Sequence, residues 1–164
     1  MKQKIFHFRE AAAWFLVSAL VIVLDQFSKY LVMNYLYVEQ PVTLLPFFNL
    51  ILRYNQGAAF SFLGQAGGWQ VLFLSLISIV VIIILLIWLL RLTYPNSWIA
   101  CGISLVIGGA AGNLIDRLRF SVVIDFFDFH VSNWHYATFN VADSAIVVGV
   151  IMLLLHTVFY HKKV

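Results

Sequence analysis

The chain has 164 residues, 63% of them hydrophobic and 10% charged, with a formal net charge of +3 at pH 7. So little polar surface excludes an ordinary soluble domain, and the long apolar runs make lipid the expected solvent. The Lys and Arg residues are dispersed or terminal, with no basic block interleaved with aromatics, which excludes a nucleic-acid partner.

The first apolar stretch, residues 11–24, follows Lys2, Lys4 and Arg9 and has the length of a secretory signal. Asp25-Gln26-Phe27-Ser28-Lys29 comes next, without a small-residue cleavage site, and the apolar pattern resumes at Tyr30-Leu31-Val32-Met33. One uncleaved helix over about 11–37 is therefore expected. The connection 38–66 reads as a small β-element: Phe47–Tyr54 is aromatic and branched, Asn55-Gln56-Gly57 can turn, and 58–62 can return as a second strand.

Residues 71–90 and 98–115 carry no charge, and 144–160 holds only His156 as a titratable group. Each run suffices to cross a hydrocarbon core of ~30 Å. Helices are expected over about 69–91, 97–117 and 140–160, with 118–139 as a lid segment. Trp69, Trp88, Trp98 and Tyr160 lie near the span ends, where amphipathic rings favour the interface. Gly108 and Gly112 form a G-x-x-x-G pair that lets helix backbones approach closely. Cys101 lies alone inside an apolar run and reads as a packing residue. The predicted fold class is thus a single-domain, all-α polytopic membrane protein of four transmembrane helices with a small periplasmic β-sheet element.

The positive-inside rule sets the orientation. Lys2, Lys4, Arg9, Arg91, Lys162 and Lys163 lie on one side and Lys29, Arg53, Arg117 and Arg119 on the other. Both termini are then cytoplasmic, and both long connections face outward.

Nearly all ionisable residues at membrane depth fall at the outer end. Such residues are expensive there and need a partner or a purpose. Asp25 and Lys29 share a helix face at i,i+4, as do Asn113, Asp116 and Arg117 at i,i+3,i+4. Asn140-x-x-Asp143 has capping-box spacing, and a helix N-terminus favours a charged Asp143. Asp125 sits in the apolar Val122–Phe127 stretch, which disfavours its charge. If the fold unites Asp125 and Asp143, they would share one proton and could work as an aspartic-peptidase pair. Spacing alone leaves other chemistry open: a mixed metal site from Asp128, His130, His135 and Asp143, or a Ser28–Lys29 dyad. Neither carries a recognisable signature. A proton- or ion-coupled transporter using Asp25, Lys29, Asp116 and Asp143 is the alternative from another class. Against it, the inner halves of the spans are almost purely apolar.

Five blocks taken together resemble the lipoprotein signal peptidase (signal peptidase II) family. They are Asp25-Gln26-Phe27-Ser28-Lys29, Asn55-Gln56-Gly57-Ala58-Ala59-Phe60-Ser61, Gly112-Asn113-Leu114-Ile115-Asp116-Arg117, Val123-Ile124-Asp125-Phe126 and Phe139-Asn140-Val141-Ala142-Asp143-Ser144. The resemblance implies an aspartyl endopeptidase of the inner membrane that removes signal peptides from diacylglyceryl-modified prolipoproteins at the lipobox cysteine. It implies Asp125 and Asp143 as the catalytic dyad. It implies Asp25, Lys29, Asn55, Gly57, Gly109, Asn113, Asp116, Arg117, Asn140 and Ala142 as substrate-binding or supporting positions. It further implies no cofactor or metal, a monomer in contact with membrane lipid, inhibition by globomycin-type cyclic peptides, and a mobile lid helix between the third and fourth spans. Asp128 lies outside this pattern and is expected to face solvent.

Overall fold

The computed structural model describes residues 8–57, 68–92 and 97–160. Its elements in chain order are α1 (Phe8–Tyr35), β1 (Val42–Leu45), β2 (Phe48–Asn55), α2 (Trp69–Leu90), α3 (Ser97–Phe120), β3 (Val123–Val131), β4 (Trp134–His135) and α4 (Val141–Tyr160). All four helices are long and apolar enough to cross a membrane. α3 is the central helix, mostly buried between α1, α2 and α4, whereas α2 presents nearly its whole surface outward.

Close packing around α3 follows from its glycines. A Cβ at Gly108 would lie 2.7 Å from the Val21 Cβ and 2.8 Å from the Ser18 carbonyl oxygen of α1. A Cβ at Gly109, on the adjoining face, would meet the Ala142 carbonyl and the Ile146 side chain of α4. The absent side chains let α3 touch both neighbours at backbone distance. At the end of the bundle away from the sheet, Leu89, Leu92, Ala100, Ile103 and Ile107 form an apolar cluster with Trp14 and Phe15 against it.

The strands form one antiparallel sheet in the order β1-β2-β3-β4. Pro46-Phe47 makes the tight β1–β2 connection, a position where proline removes no ladder bond. β3 pairs along β2, with Asn49 opposite Asp128 and Arg53 opposite Asp125, and a bulge falls between Leu50 and Arg53. The connection between α3 and α4 therefore supplies half the sheet. The expected lid helix in 118–139 is replaced by β3 and β4, because Val123–Val131 is rich in branched and aromatic residues and β2 offers it a free edge. The return strand expected at 58–62 falls outside the described residues.

A second apolar cluster holds the sheet on the bundle: Val32 of α1, Leu52 of β2, and Ile124 and Phe126 of β3, all at most 8% exposed. Burying side chains of this size contributes roughly 1.5–3 kcal/mol each. Leu52→Ala is expected to destabilise the protein by about 2–5 kcal/mol through the cavity it leaves. Thermal unfolding of the detergent-solubilised variant measures this, with loss of the sheet's near-ultraviolet aromatic signal.

Candidate active site

The sheet end of the bundle is organised around one buried ammonium group. Lys29, 1% exposed, places its Nζ 2.7 Å from Asp25 Oδ2 and 2.7 Å from Asp116 Oδ2. It also donates to Asn113 Oδ1 at 3.1 Å. The i,i+4 spacing on α1 makes the first contact local, and the α1–α3 approach at Gly108 and Gly112 makes the others possible. A Cβ at Gly112 would come within 2.6 Å of Asp25 Oδ2, so that carboxylate occupies the space a side chain would fill.

The two anions extend the network to every outer element. Asp25 Oδ1 accepts the Ala142 backbone N–H of α4 at 3.0 Å, and Asp116 Oδ2 accepts the Ile124 N–H of β3 at 3.2 Å. Gln26 Nε2 donates to Asp116 Oδ1 at 2.8 Å and to the Gly112 carbonyl at 3.2 Å. Buried charges persist only when paired and hydrogen-bonded, and here each is.

Above this layer Asn140 joins two further carboxylates. Its side chain caps α4 by accepting the Asp143 N–H at 2.9 Å, and its own N–H donates to Asp143 Oδ2 at 3.2 Å. This is the reciprocal capping box. The Asn140 amide nitrogen donates to Asp125 Oδ1 at 2.8 Å and to Asn113 Oδ1 at 3.1 Å. Asn113 Nδ2 donates to Asp143 Oδ1 at 2.8 Å, and Asn55 Nδ2 to Asp125 Oδ2 at 3.0 Å. Asn55 is held in turn by the Gly57 N–H, which donates to its Oδ1 at 2.9 Å. Two acids 18 residues apart in sequence are thus bridged by one asparagine side chain.

Both acids line a cavity of about 510 Å3. Asn55, Gly57, Asn113 and Arg117 complete its polar part, while Tyr136–Phe139 and Ile146–Val148 form apolar walls. Burial first, then the neighbouring charge of Asp143, pushes the Asp125 carboxyl up to about 7 against the pull of its Asn55 and Asn140 hydrogen bonds. The Arg117 guanidinium also lines the cavity, in the electrostatic field of Asp143, Asp116 and Asp125.

A family model described as signal peptidase (SPase) II matches residues 17–159. The chain belongs to the signal peptidase II family. It is 55% identical to a lipoprotein signal peptidase of Coxiella burnetii (strain RSA 331 / Henzerling II), over 90% of this chain and 91% of that one. It is 45% identical to the lipoprotein signal peptidase of Acinetobacter baumannii (strain ATCC 17978), over 92% of this chain and 85% of that one. A solved bacterial membrane enzyme, determined in meso at 2.3 Å resolution, superposes with a TM-score of 0.83 at 27% identity, covering 100% of this chain and 98% of the other. The four apolar helices and this membership make the chain a multi-pass protein of the bacterial inner membrane and a protease of lipoprotein processing.

Against the signal peptidase II pattern, the predicted site residues divide into two layers. Asp125, Asp143, Asn55, Gly57, Asn113, Arg117 and Asn140 surround the cavity or bridge its acids. Asp25, Lys29, Asp116, Ala142 and Gly109 lie in the packed layer beneath, where they fix α1, α3 and α4 to one another. Gln26 was not singled out, although its two bonds tie α1 to α3; only its place one residue after Asp25 signalled it.

Asp128 does not face solvent. It is 1% exposed, accepting from Asn49 Nδ2 at 2.9 Å and bonded to His135 Nδ1 at 2.9 Å. The cross-strand register puts Asn49 opposite it. Burial works to raise the Asp128 carboxyl, but the Asn49 and His135 hydrogen bonds outweigh it and hold the group below the ordinary carboxylate value. Asp128 and His135 meet each other on the sheet rather than Asp143, and among the described residues no three His, Cys, Asp or Glu side chains converge as metal ligands.

Lys29→Met removes the cation from two buried carboxylates and is expected to destabilise the protein by about 3–5 kcal/mol. Asp25→Asn, which keeps the shape and hydrogen-bonding atoms, is expected to lose less. Melting temperatures of the two purified variants in one detergent make the comparison.

Proposed function

We propose that this signal peptidase II relative is an aspartyl endopeptidase whose catalytic dyad is Asp125 and Asp143. The reading is carried by one observation: Asn140 holds both carboxylates at a single cavity, Asp125 through its side-chain amide and Asp143 through its backbone N–H, and there Asp125 retains a proton up to about neutral pH. Two acids this close share one proton rather than ionising together. The Asn113 and Asn140 donors and the α4 N-terminus suit Asp143 to the charged role, and Asp125 to the protonated one.

The reaction follows from that division. Asp143 takes a proton from water as its oxygen attacks the scissile carbonyl, while Asp125 gives its proton to the carbonyl oxygen. The resulting gem-diol collapses, the C–N bond breaks, and the proton held on Asp143 passes to the leaving amine. Asp125 regains its proton from the collapsing diol, and no other reactant is consumed.

The substrate is a prolipoprotein bearing a diacylglyceryl-modified cysteine, and the amine that leaves is that cysteine's nitrogen. The names of the relatives support the class of substrate, and the cavity supports the rest. Its polar part suits a peptide backbone, and Ile146–Val148 of α4 continue it along the lipid-facing bundle where acyl chains lie. A globomycin-type cyclic peptide fits the same requirements and is the expected inhibitor. Lys and Arg placement supports cytoplasmic termini and a periplasmic site. The end away from the sheet holds the apolar cluster around Leu89 and Ile103, which argues against a polar path across the bundle among the described residues.

Asp125→Asn and Asp143→Asn are each expected to reduce turnover of a synthetic lipidated precursor by more than about 1000-fold while the purified protein remains folded. Near-normal turnover in either variant would remove the dyad assignment. A pH profile gives the second test. Asp125 binds its proton more tightly folded than unfolded, so its contribution to stability is greatest below about pH 4. That contribution falls as pH rises through about 7, and kcat/KM falls over the same upper range as the shared proton is lost. Asn55→Ala deletes a donor that favours the charged carboxylate, so the alkaline limb is expected to move to higher pH. A limb that stays in place or moves down would contradict this assignment.

A further inference from the structure

The cavity wall Tyr136–Phe139 has two points of backbone attachment. At its far end Phe139 exchanges hydrogen bonds with Phe127, at 2.8 and 3.1 Å, and its ring lies between those of Phe127 and Phe129. At its near end the Tyr136 N–H donates to the Phe129 carbonyl at 2.8 Å. That near end continues directly from β4, an edge strand of two residues paired through His130–His135 and Val131–Trp134. So short a strand holds its place poorly by ladder bonds alone.

Side chains supply what the ladder lacks. Asp128 of β3 takes the Asn49 amide of β2 on Oδ2 at 2.9 Å and His135 Nδ1 of β4 on Oδ1 at 2.9 Å. One buried carboxylate therefore ties three strands together. An ionised carboxylate only accepts, so Nδ1 carries the proton, and the bond is of the stronger, charge-assisted kind. The His135 ring also stacks on His130, with centroids 5.1 Å apart. The partners of Asp128, Asn49 and His135, lie within the sheet, whereas Asp125 is held by Asn55 and Asn140, so the two carboxylates belong to separate hydrogen-bond sets.

We infer that the Asn49–Asp128–His135 clasp is a positioning device that holds the wall Tyr136–Phe139 against the cavity and so determines how tightly the lipidated substrate is bound. The inference rests on the peptidase reading of that cavity. Asp128 and His135 act through the wall and are positioning residues.

The experiment compares full-length wild type with His135→Phe and His135→Asn in the same detergent. Phenylalanine keeps a ring to stack on His130 but has no donor; asparagine restores an N–H on the atom bonded to Cγ, where Nδ1 stood. Amide hydrogen exchange over residues 136–139 is expected to quicken about tenfold in H135F, as loss of a charge-assisted hydrogen bond allows. Exchange in α3 and α4 is expected to stay unchanged, and H135N to restore the slow rate. With a diacylglyceryl prolipoprotein peptide, KM is expected to rise about three- to tenfold in H135F, with kcat within about twofold, and to recover in H135N. Unchanged exchange or an unchanged KM in H135F overturns the inference. So does a fall in kcat at constant KM, a general rise in exchange through the helices, or failure of H135N to restore either value. If H135F does not fold, Asp128→Asn is read by the same measurements. A wild type that fails to cleave overturns the peptidase reading instead, and the exchange data still judge the clasp.

Discussion

Everything at the sheet end of this molecule depends on an ammonium group held away from water by three acceptors. Lys29 contacts Asp25, Asp116 and Asn113, and those three in turn hold α4, β3 and the capping asparagine of α4. A lone charge at this depth is untenable, so the cation and its acceptors form only as a set. The same necessity makes the site rigid. Asn113 spends one side-chain oxygen on Lys29 and Asn140 and directs its nitrogen to Asp143, which fixes that carboxylate relative to the layer beneath. Asp125 is fixed from the other side, by Asn55 of the sheet and Asn140 of α4.

Rigidity of this kind requires the helices to be closer than ordinary side chains permit. Gly108 and Gly112 bring α3 onto α1, and Gly109 brings it onto the first turn of α4. The apolar cluster at one end and the polar layer at the sheet end then share one axis, α3, whose burial serves both. Lipid supplies no hydrophobic drive for helices to associate, so close packing and the buried polar bonds must hold the bundle together. The residues that arrange the carboxylates and those that assemble the fold are consequently, in large part, the same.

How much of this can be read from the sequence depends on how local each interaction is. The four spans declare themselves through uninterrupted apolar runs, and the Asp25–Lys29 pair and the Asn140–Asp143 box through fixed helical spacings. Asp125 and Asp143 as a united pair come from the family resemblance, since 18 positions of chain say nothing about distance. The sheet is the harder case. β2 is legible from its aromatic and branched content, but its partner β3 comes from the other outward connection, beyond any hairpin signal. Asp128 was misjudged for the same reason: its burial is created by Asn49 across the sheet and His135 across a turn, and neither is visible from the residues beside it.

Charge balance then links the architecture to the chemistry. Around the cavity and in the layer beneath it, four carboxylates, Asp25, Asp116, Asp125 and Asp143, stand against two cations, Lys29 and Arg117. Lys29 bonds the lower pair directly and reaches the upper pair only through its field, as Arg117 does, so neither upper acid has an ion pair among the described residues. Holding one proton on the upper pair is the economical resolution, and the high value at Asp125 expresses it. A proton retained for electrostatic reasons is also a proton available to a substrate carbonyl. On the dyad reading proposed above, the demands of burying acids at a membrane boundary and of cutting a peptide there are met by the same arrangement.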